Sequence, residues 1–164
     1  MCRRKALLAV KKKGTEKKIF LNVDPNIIKD SLFRKGVTIS YLREFNLYPD
    51  NIIFEITERN SIDDEVAFRS TIQHYQEQNF EIAIDDFGNG YAGMNRVCNL
   101  NPEYIKIDRE IIHDIDKDAL KATIVESMVQ FCRKSHIQLI AEGIETREEL
   151  YTLINLGVNY GQGY

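Results

Sequence analysis

Short runs of β-favouring apolar residues recur at 19–23, 52–57, 80–87, 104–108 and 138–142. Each gives way to a stretch with helical spacing or helical capping residues. A helical segment at 5–13 precedes Gly14, and residues 159–164 read as a sixth strand cut short. Neither end resembles a domain boundary, and we find no internal repeat, low-complexity tract or linker. Ile27, Ile28, Leu32 and Phe33 share one face of a helix expected over 26–35, which stops at Gly36, a residue suited to the left-handed backbone past a helix end. Residues 41–45 give a shorter helical turn. Asn60 or Ser61 caps a helix whose first turn carries Asp63, Asp64 and Glu65 and which runs to about Gln78. The longest helix is expected over 119–135. Thr146 with Glu149 is a capping box that opens a last helix ending at Gly157.

Strands that alternate with helices pair in parallel, because antiparallel hairpins need only short turns where this chain spends whole helices. Two α/β architectures satisfy the pattern: an open doubly wound sheet, and a (β/α)8 barrel of the TIM type that is here incomplete, with about six strands visible. The chemistry at the strand ends favours the barrel. Asn22, Glu55, Asp85, Asp86, Lys106, Asp108 and Glu142 all stand near the C-terminal end of a strand. In a parallel sheet those ends share one rim, so residues scattered along the chain converge. Carboxylates crowded in a partly desolvated place repel, and divalent cations neutralise them. Oxygen ligands without convergent His or Cys suit Mg2+ or Mn2+ rather than zinc. The adjacent pair Asp85 and Asp86 can serve two ions, an arrangement suited to hydrolysis of a phosphoryl ester.

A single carboxylate at a strand end is more often a helix cap or loop residue; the one-sided placement over five strands is what argues for a site. Lys106 alternates with Ile105 and Ile107 and so faces away from both. Spacing alone leaves a surface lysine and a catalytic lysine equally open. Gly88, Gly90 and Gly93 spell the dinucleotide-binding pattern GxGxxG, but Asp85 and Asp86 just before it would repel a pyrophosphate. A glycine-rich loop shaped around a metal site is the better reading.

Composition narrows the classes. The 164 residues are 43% hydrophobic and 29% charged, enough apolar surface for one globular core. Lys plus Arg number 22 against 25 Asp plus Glu, a net charge of -3, which argues against a duplex nucleic-acid partner. No apolar run is long enough to span a bilayer, and no signal-peptide cleavage pattern follows Met1. Cys2, Cys98 and Cys132 are odd in number and widely spaced, so neither a disulfide framework nor a zinc clip is expected. A cytoplasmic location fits. His74, His113 and His136 read as helix-surface or partly buried residues, Cys98 and Cys132 as packing residues, and Arg3–Lys5 and Lys11–Lys13 as a solvated helix face.

The ordered set "NVD" at Asn22, "FEITE" with Glu55 and Glu58, "IDDFGNGYAGM" from Ile84, "YIKID" with Lys106 and Asp108, "AEGIET" from Ala141 and "GQGY" with Gln162 resembles the EAL domains, phosphodiesterases of bacterial cyclic di-GMP signalling. The resemblance covers almost the whole chain and implies a barrel that hydrolyses cyclic di-GMP to linear pGpG with two divalent metals. It implies that Asn22, Glu55 and Asp85 hold one ion and that Asp85, Asp86 and Glu142 surround the other. Lys106 then holds or helps activate the attacking water, with Asp86 and Glu142 beside it as catalytic groups. Asp108, Glu145 and Gln162 border the substrate, and Glu58 anchors the loop after Asp86 that couples metal binding to dimerisation.

Two departures bear on activity. Asn89, Ala92 and Gly93 stand where the family loop carries Thr and two Ser, and the Glu-Ala-Leu signature is absent. That signature belongs upstream of the first helix, so residues 1–164 are expected to form one EAL-type barrel domain truncated at both termini. Such a chain is expected to self-associate and to turn over cyclic di-GMP poorly. The alternative function is a degenerate, non-catalytic EAL domain acting as a cyclic di-GMP receptor or protein-interaction module. GGDEF or sensory domains are the expected neighbours in a parent protein.

Overall fold

The computed structural model describes residues 2–13, 17–24, 27, 36–57, 65–88 and 93–164. The chain divides into two compact units, residues 1–56 with 60–82, and residues 57–59 with 83–164.

In the first unit, β1 (Ile19–Asn22) and β2 (Ile52–Thr57) pair in parallel, with Ile19 opposite Ile52 and Asn22 opposite Glu55. Residues 52–56 of β2 are all buried, as expected of a strand covered on both faces. Among its described residues this unit has three α-helices: α1 (Cys2–Lys13), α2 (Val37–Phe45) and α3 (Glu65–Gln76). An aromatic cluster anchors it, with the Phe54 ring 4.2 Å from Tyr75 and 4.8 Å from Phe80. Arg3 lies over two of these rings, 5.0 Å from the Phe54 centroid and 5.7 Å from that of Tyr75, and donates to Thr38 Oγ1 at 2.7 Å. It is therefore a packing residue and departs from the solvated face expected for 3–5, because a guanidinium stacks on aromatic surface while keeping a hydrogen bond. The helical turn expected at 41–45 is the end of the longer α2, held by buried Thr38, Leu42 and Phe45. The helix expected over 26–35 and the start of the one capped at Asn60 or Ser61 lie outside the described residues.

The second unit takes in most of β3 (Glu81–Phe87), then α4 (Gly93–Leu100), β4 (Tyr104–Ile107), α5 (Arg109–Ile112), α6 (Ala119–Ser135), β5 (Gln138–Ile144), α7 (Arg147–Leu156) and β6 (Tyr160–Gly163). β3 pairs with β4, β4 with β5 and β5 with β6, all in parallel. Ile105 and Ile107 are fully buried on one face of β4, each contributing about 2 kcal/mol of burial. The helix boundaries follow local signals. Asp118 caps α6 by accepting from the N–H of Leu120 and Lys121, and Thr146 with Glu149 forms the reciprocal capping box of α7. Gly157 ends α7 at φ 90°.

Among the described residues no helix is long and apolar enough to cross a membrane. Cys132 is buried, and burial pushes its thiol up to about 11. Cys98 is exposed on α4, so the packing role expected for it fails. His74 is partly buried between Tyr75 and the Gln78 side chain, His113 is exposed, and His136 ends α6 in the left-handed conformation.

Candidate functional site

Successive residues of a strand point to opposite faces, so two neighbouring aspartates should not reach one site. β3 resolves this with a bulge. Its register against β4 shifts between Ile84 and Phe87, and Asp86 adopts φ 55°. The irregularity re-aims the side chains. One carboxylate oxygen each of Asp85, Asp86 and Glu142 then lie within 4.8 Å of one another. β5 carries a matching break, with the register shifting between Glu142 and Ile144 and Gly143 at φ 69°.

Lys106 sits between these strands and is 4% exposed. Its Nζ lies 2.6 Å from Glu142 Oε1 and 3.1 Å from Asp85 Oδ1. This excludes the surface reading of Lys106. Burying an ammonium is costly without partners, and two carboxylates supply them. Within this set of four side chains three carboxylates accompany one ammonium, an excess of two negative charges when all are ionised. Burial pushes the Glu142 carboxyl up to about 7, against the lowering pull of the Lys106 ammonium, and the Asp85 carboxylate adds to the rise. Asp85 Oδ1 is buried and, among the described residues, accepts no well-aligned hydrogen bond, although Lys106 Nζ is near. The ammonium directs its shorter contact to Glu142. A buried, under-satisfied carboxylate oxygen in an oxygen-only cluster with excess negative charge fits a hard divalent cation.

Other expected site residues fall at or just after the ends of their own strands. Gln162 on β6 stands directly opposite Glu142 on β5 in the register. Asp108 is buried and caps α5, its Oδ1 accepting from Glu110 N–H at 2.7 Å. Glu145 is half-exposed and pairs with Arg109 at 2.6 Å. In the other unit, Asn22 and Glu55 are register partners at the ends of β1 and β2, with Glu55 buried. Glu58 lies outside the described residues.

Sequence reasoning missed two residues. Arg109 stands in none of the sequence motifs above, and Glu149 reads from sequence as a capping residue alone. Glu149 is 1% exposed and accepts from three backbone N–H groups, those of Asp114, Glu145 and Thr146. Burial alone would raise its carboxyl, but those bonds outweigh it and hold the group below the usual carboxylate range. The usable signal was charge spacing: Lys106 and Arg109 are three apart on one segment, Glu142 and Glu145 three apart on the next.

Comparison with known proteins agrees with this geometry. The family model described as "EAL domain" matches residues 1–164. The cyclic di-GMP phosphodiesterase PdeF of Escherichia coli is 34% identical over 144 residues, 88% of this chain and 19% of that protein. The chain thus spans about a fifth of that relative's length. Klebsiella pneumoniae BlrP1, solved as a manganese and cyclic di-GMP complex, superposes with a TM-score of 0.92 at 30% identity over 99% of this chain and 42% of its own. A standalone EAL protein of Vibrio cholerae O395 in its cyclic di-GMP-bound form gives 0.88 at 30% identity over all of this chain and 69% of its own. The α/β fold expected from sequence, six strands of an EAL-type (β/α)8 barrel, is borne out at this level. Convergent carboxylates on the parallel strands β3 and β5, the whole-chain family match and the structural likeness lead to one conclusion: the chain belongs to the EAL-domain family.

Proposed function

We propose that this domain hydrolyses cyclic di-GMP to linear pGpG with two divalent cations, Mg2+ or Mn2+. The observation that carries the reading is the buried Lys106 held between Asp85 and Glu142, beside an under-satisfied Asp85 oxygen. Asn22, Glu55 and Asp85 would hold one ion and Asp85, Asp86 and Glu142 the other; bound there, the ions would polarise the phosphodiester and lower the cost of ionising the attacking water. Lys106 orients that water by hydrogen bonding and offsets the charge that builds on the phosphoryl oxygens. Glu142 would take the water's proton, with Asp86 beside it; the two carboxylates lie in one cluster with Asp85. Water oxygen bonds to phosphorus, one ester P–O bond breaks, and the leaving ribose oxygen receives a proton. Gln162 and Glu145 border the substrate, and Asp108 fixes the start of α5 next to it. A cytoplasmic location, pairing of two copies, a loop anchor at Glu58 and attached GGDEF or sensory domains complete this reading.

The loop departures at Asn89, Ala92 and Gly93 support a second reading, a receptor that binds cyclic di-GMP without cleaving it. One experiment separates them. The chain is incubated with cyclic di-GMP under Mg2+ and Mn2+, and bound ligand and pGpG are measured separately. We expect slow, metal-dependent pGpG formation that Lys106→Met lowers by roughly 10² or more, the usual scale for removing such a group. Binding with no pGpG would assign the receptor reading. Turnover retained by Lys106→Met would overturn the role given to Lys106.

A further inference from the structure

The turn that ends β5 is held from two sides by residues outside the acidic cluster. Asp108 caps α5 and so makes Arg109 its first residue, at the end of the strand that carries Lys106. The Arg109 stem then passes directly over Gly143. A Cβ at that position would meet Arg109 Cγ at 2.5 Å and Cβ at 2.7 Å, and the glycine's φ of 69° is one that L side chains rarely adopt. Beyond the glycine, Arg109 Nη2 reaches Glu145 Oε1 at 2.6 Å. From the other side, Glu149 accepts the N–H of Glu145 at 2.9 Å and of Thr146 at 3.1 Å. Glu145 is thus fixed by its side chain through Arg109 and by its backbone through Glu149. Between these anchors and the regular part of β5 lie Gly143 and the register break that aims Glu142 at Lys106.

We propose that Arg109 is a positioning residue: by covering Gly143 and clamping Glu145 it fixes the turn after β5, and so the direction in which Glu142 leaves its strand to meet Lys106 and complete the cation site. Two ion pairs then flank Gly143, one joining β4 to β5 and the other joining the start of α5 to the turn after β5. Lys106–Glu142 is largely buried and belongs to the chemistry, whereas Arg109–Glu145 is exposed and belongs to the geometry. The contact is Arg109 Nη2 to Glu145 Oε1 at 2.6 Å, so a lysine ammonium can supply that charged donor.

The proposal rests on the metal-dependent reading above for its consequence, but not for its geometry, and the test uses both. Arg109→Ala, Arg109→Met, Arg109→Lys and Glu145→Gln are made in the 164-residue chain. Without metal, amide hydrogen exchange is followed at residues 143–146. With metal, the Mn2+ midpoint of thermal stabilisation is measured. We expect faster exchange at the turn in Arg109→Ala with a metal-free melting temperature close to that of the parent, since exposed ion pairs add little stability. We expect a Mn2+ midpoint roughly tenfold weaker, the lower end of what losing a residue that orients a ligand costs. Arg109→Met keeps the stem over Gly143 and should fall between, Arg109→Lys should regain most of the midpoint, and Glu145→Gln combined with Arg109→Ala should be no worse than either alone. Unchanged exchange in Arg109→Ala overturns the proposal, as does faster exchange with an unchanged Mn2+ midpoint. A parent chain that ignores Mn2+ removes the metal-dependent reading instead, and the exchange measurement still decides whether Arg109 holds the turn.

Discussion

Among the described residues, two clusters in the second unit bring three potential cation ligands within 4.8 Å of one another: Asp85, Asp86 and Glu142, and His113, Asp114 and Glu149. Proximity does not distinguish them. What differs is how far each buried carboxylate is already satisfied. Glu149 takes three backbone N–H groups, Asp114 holds Lys117 at 2.6 Å, and His113 is exposed beside them. That set is closed by the protein itself. In the first cluster Lys106 pairs with Asp85 and Glu142, yet a buried Asp85 oxygen lacks a well-aligned donor among the described residues. The two glutamates show the contrast in their protonation. Burial dominates at Glu142 and pushes it up to about 7, whereas the three N–H donors win over burial at Glu149 and hold it low. A closed cluster stabilises the fold; an open one invites a ligand.

The largest effect that separates them is on stability. Glu149→Ala strips the acceptor from three backbone donors at once, two of them at the start of α7. It should cost about 3 kcal/mol, or roughly 6 to 12 °C in melting temperature, measured by calorimetry without metal. A loss below about 1 kcal/mol would show that the donors find water and that the closed cluster is incidental.

A smaller effect with opposite signs should appear in the pH dependence of the metal-free protein. Glu142 has its folded value raised, from an ordinary 4.5 to about 7. Between those values the folded state holds a proton that the unfolded state has released, so stability falls as pH rises through that window. Glu149 is lowered, so its contribution is present above its unfolded value of 4.5 and is lost as pH falls through the folded one. Glu142→Gln should flatten the decline between about pH 5 and 7 and leave the acid limb intact. A profile unchanged by Glu142→Gln would contradict the burial assigned to that carboxyl.

The sequence showed most where the signal was local. The capping box of Thr146 and Glu149 and the span of α6 were legible because caps and apolar spacing are set by near neighbours. α2 was read short because Val37, Thr38 and Ile39 are β-branched and weak helix formers, and burial of Thr38 and Leu42 overrides that preference. The acidic strand ends were legible as a set, since parallel strands fix which ends share a rim. The fate of Lys106 was not, because its burial depends on bulges in β3 and β5 that put Asp85 and Glu142 on either side of it. Arg109 escaped for the same reason. Its part is defined by a glycine 34 positions away with a positive φ, a relation that neither periodicity nor composition carries.

The most direct measurement is anomalous scattering from crystals of this chain soaked in Mn2+. Peaks are expected about 2 Å from carboxylate oxygens of Asp85, Asp86 and Glu142, the spacing hard six-coordinate ions adopt, with none at His113, Asp114 and Glu149. A peak at the His113 cluster with none beside Asp85 would contradict the distinction between the open and the closed cluster.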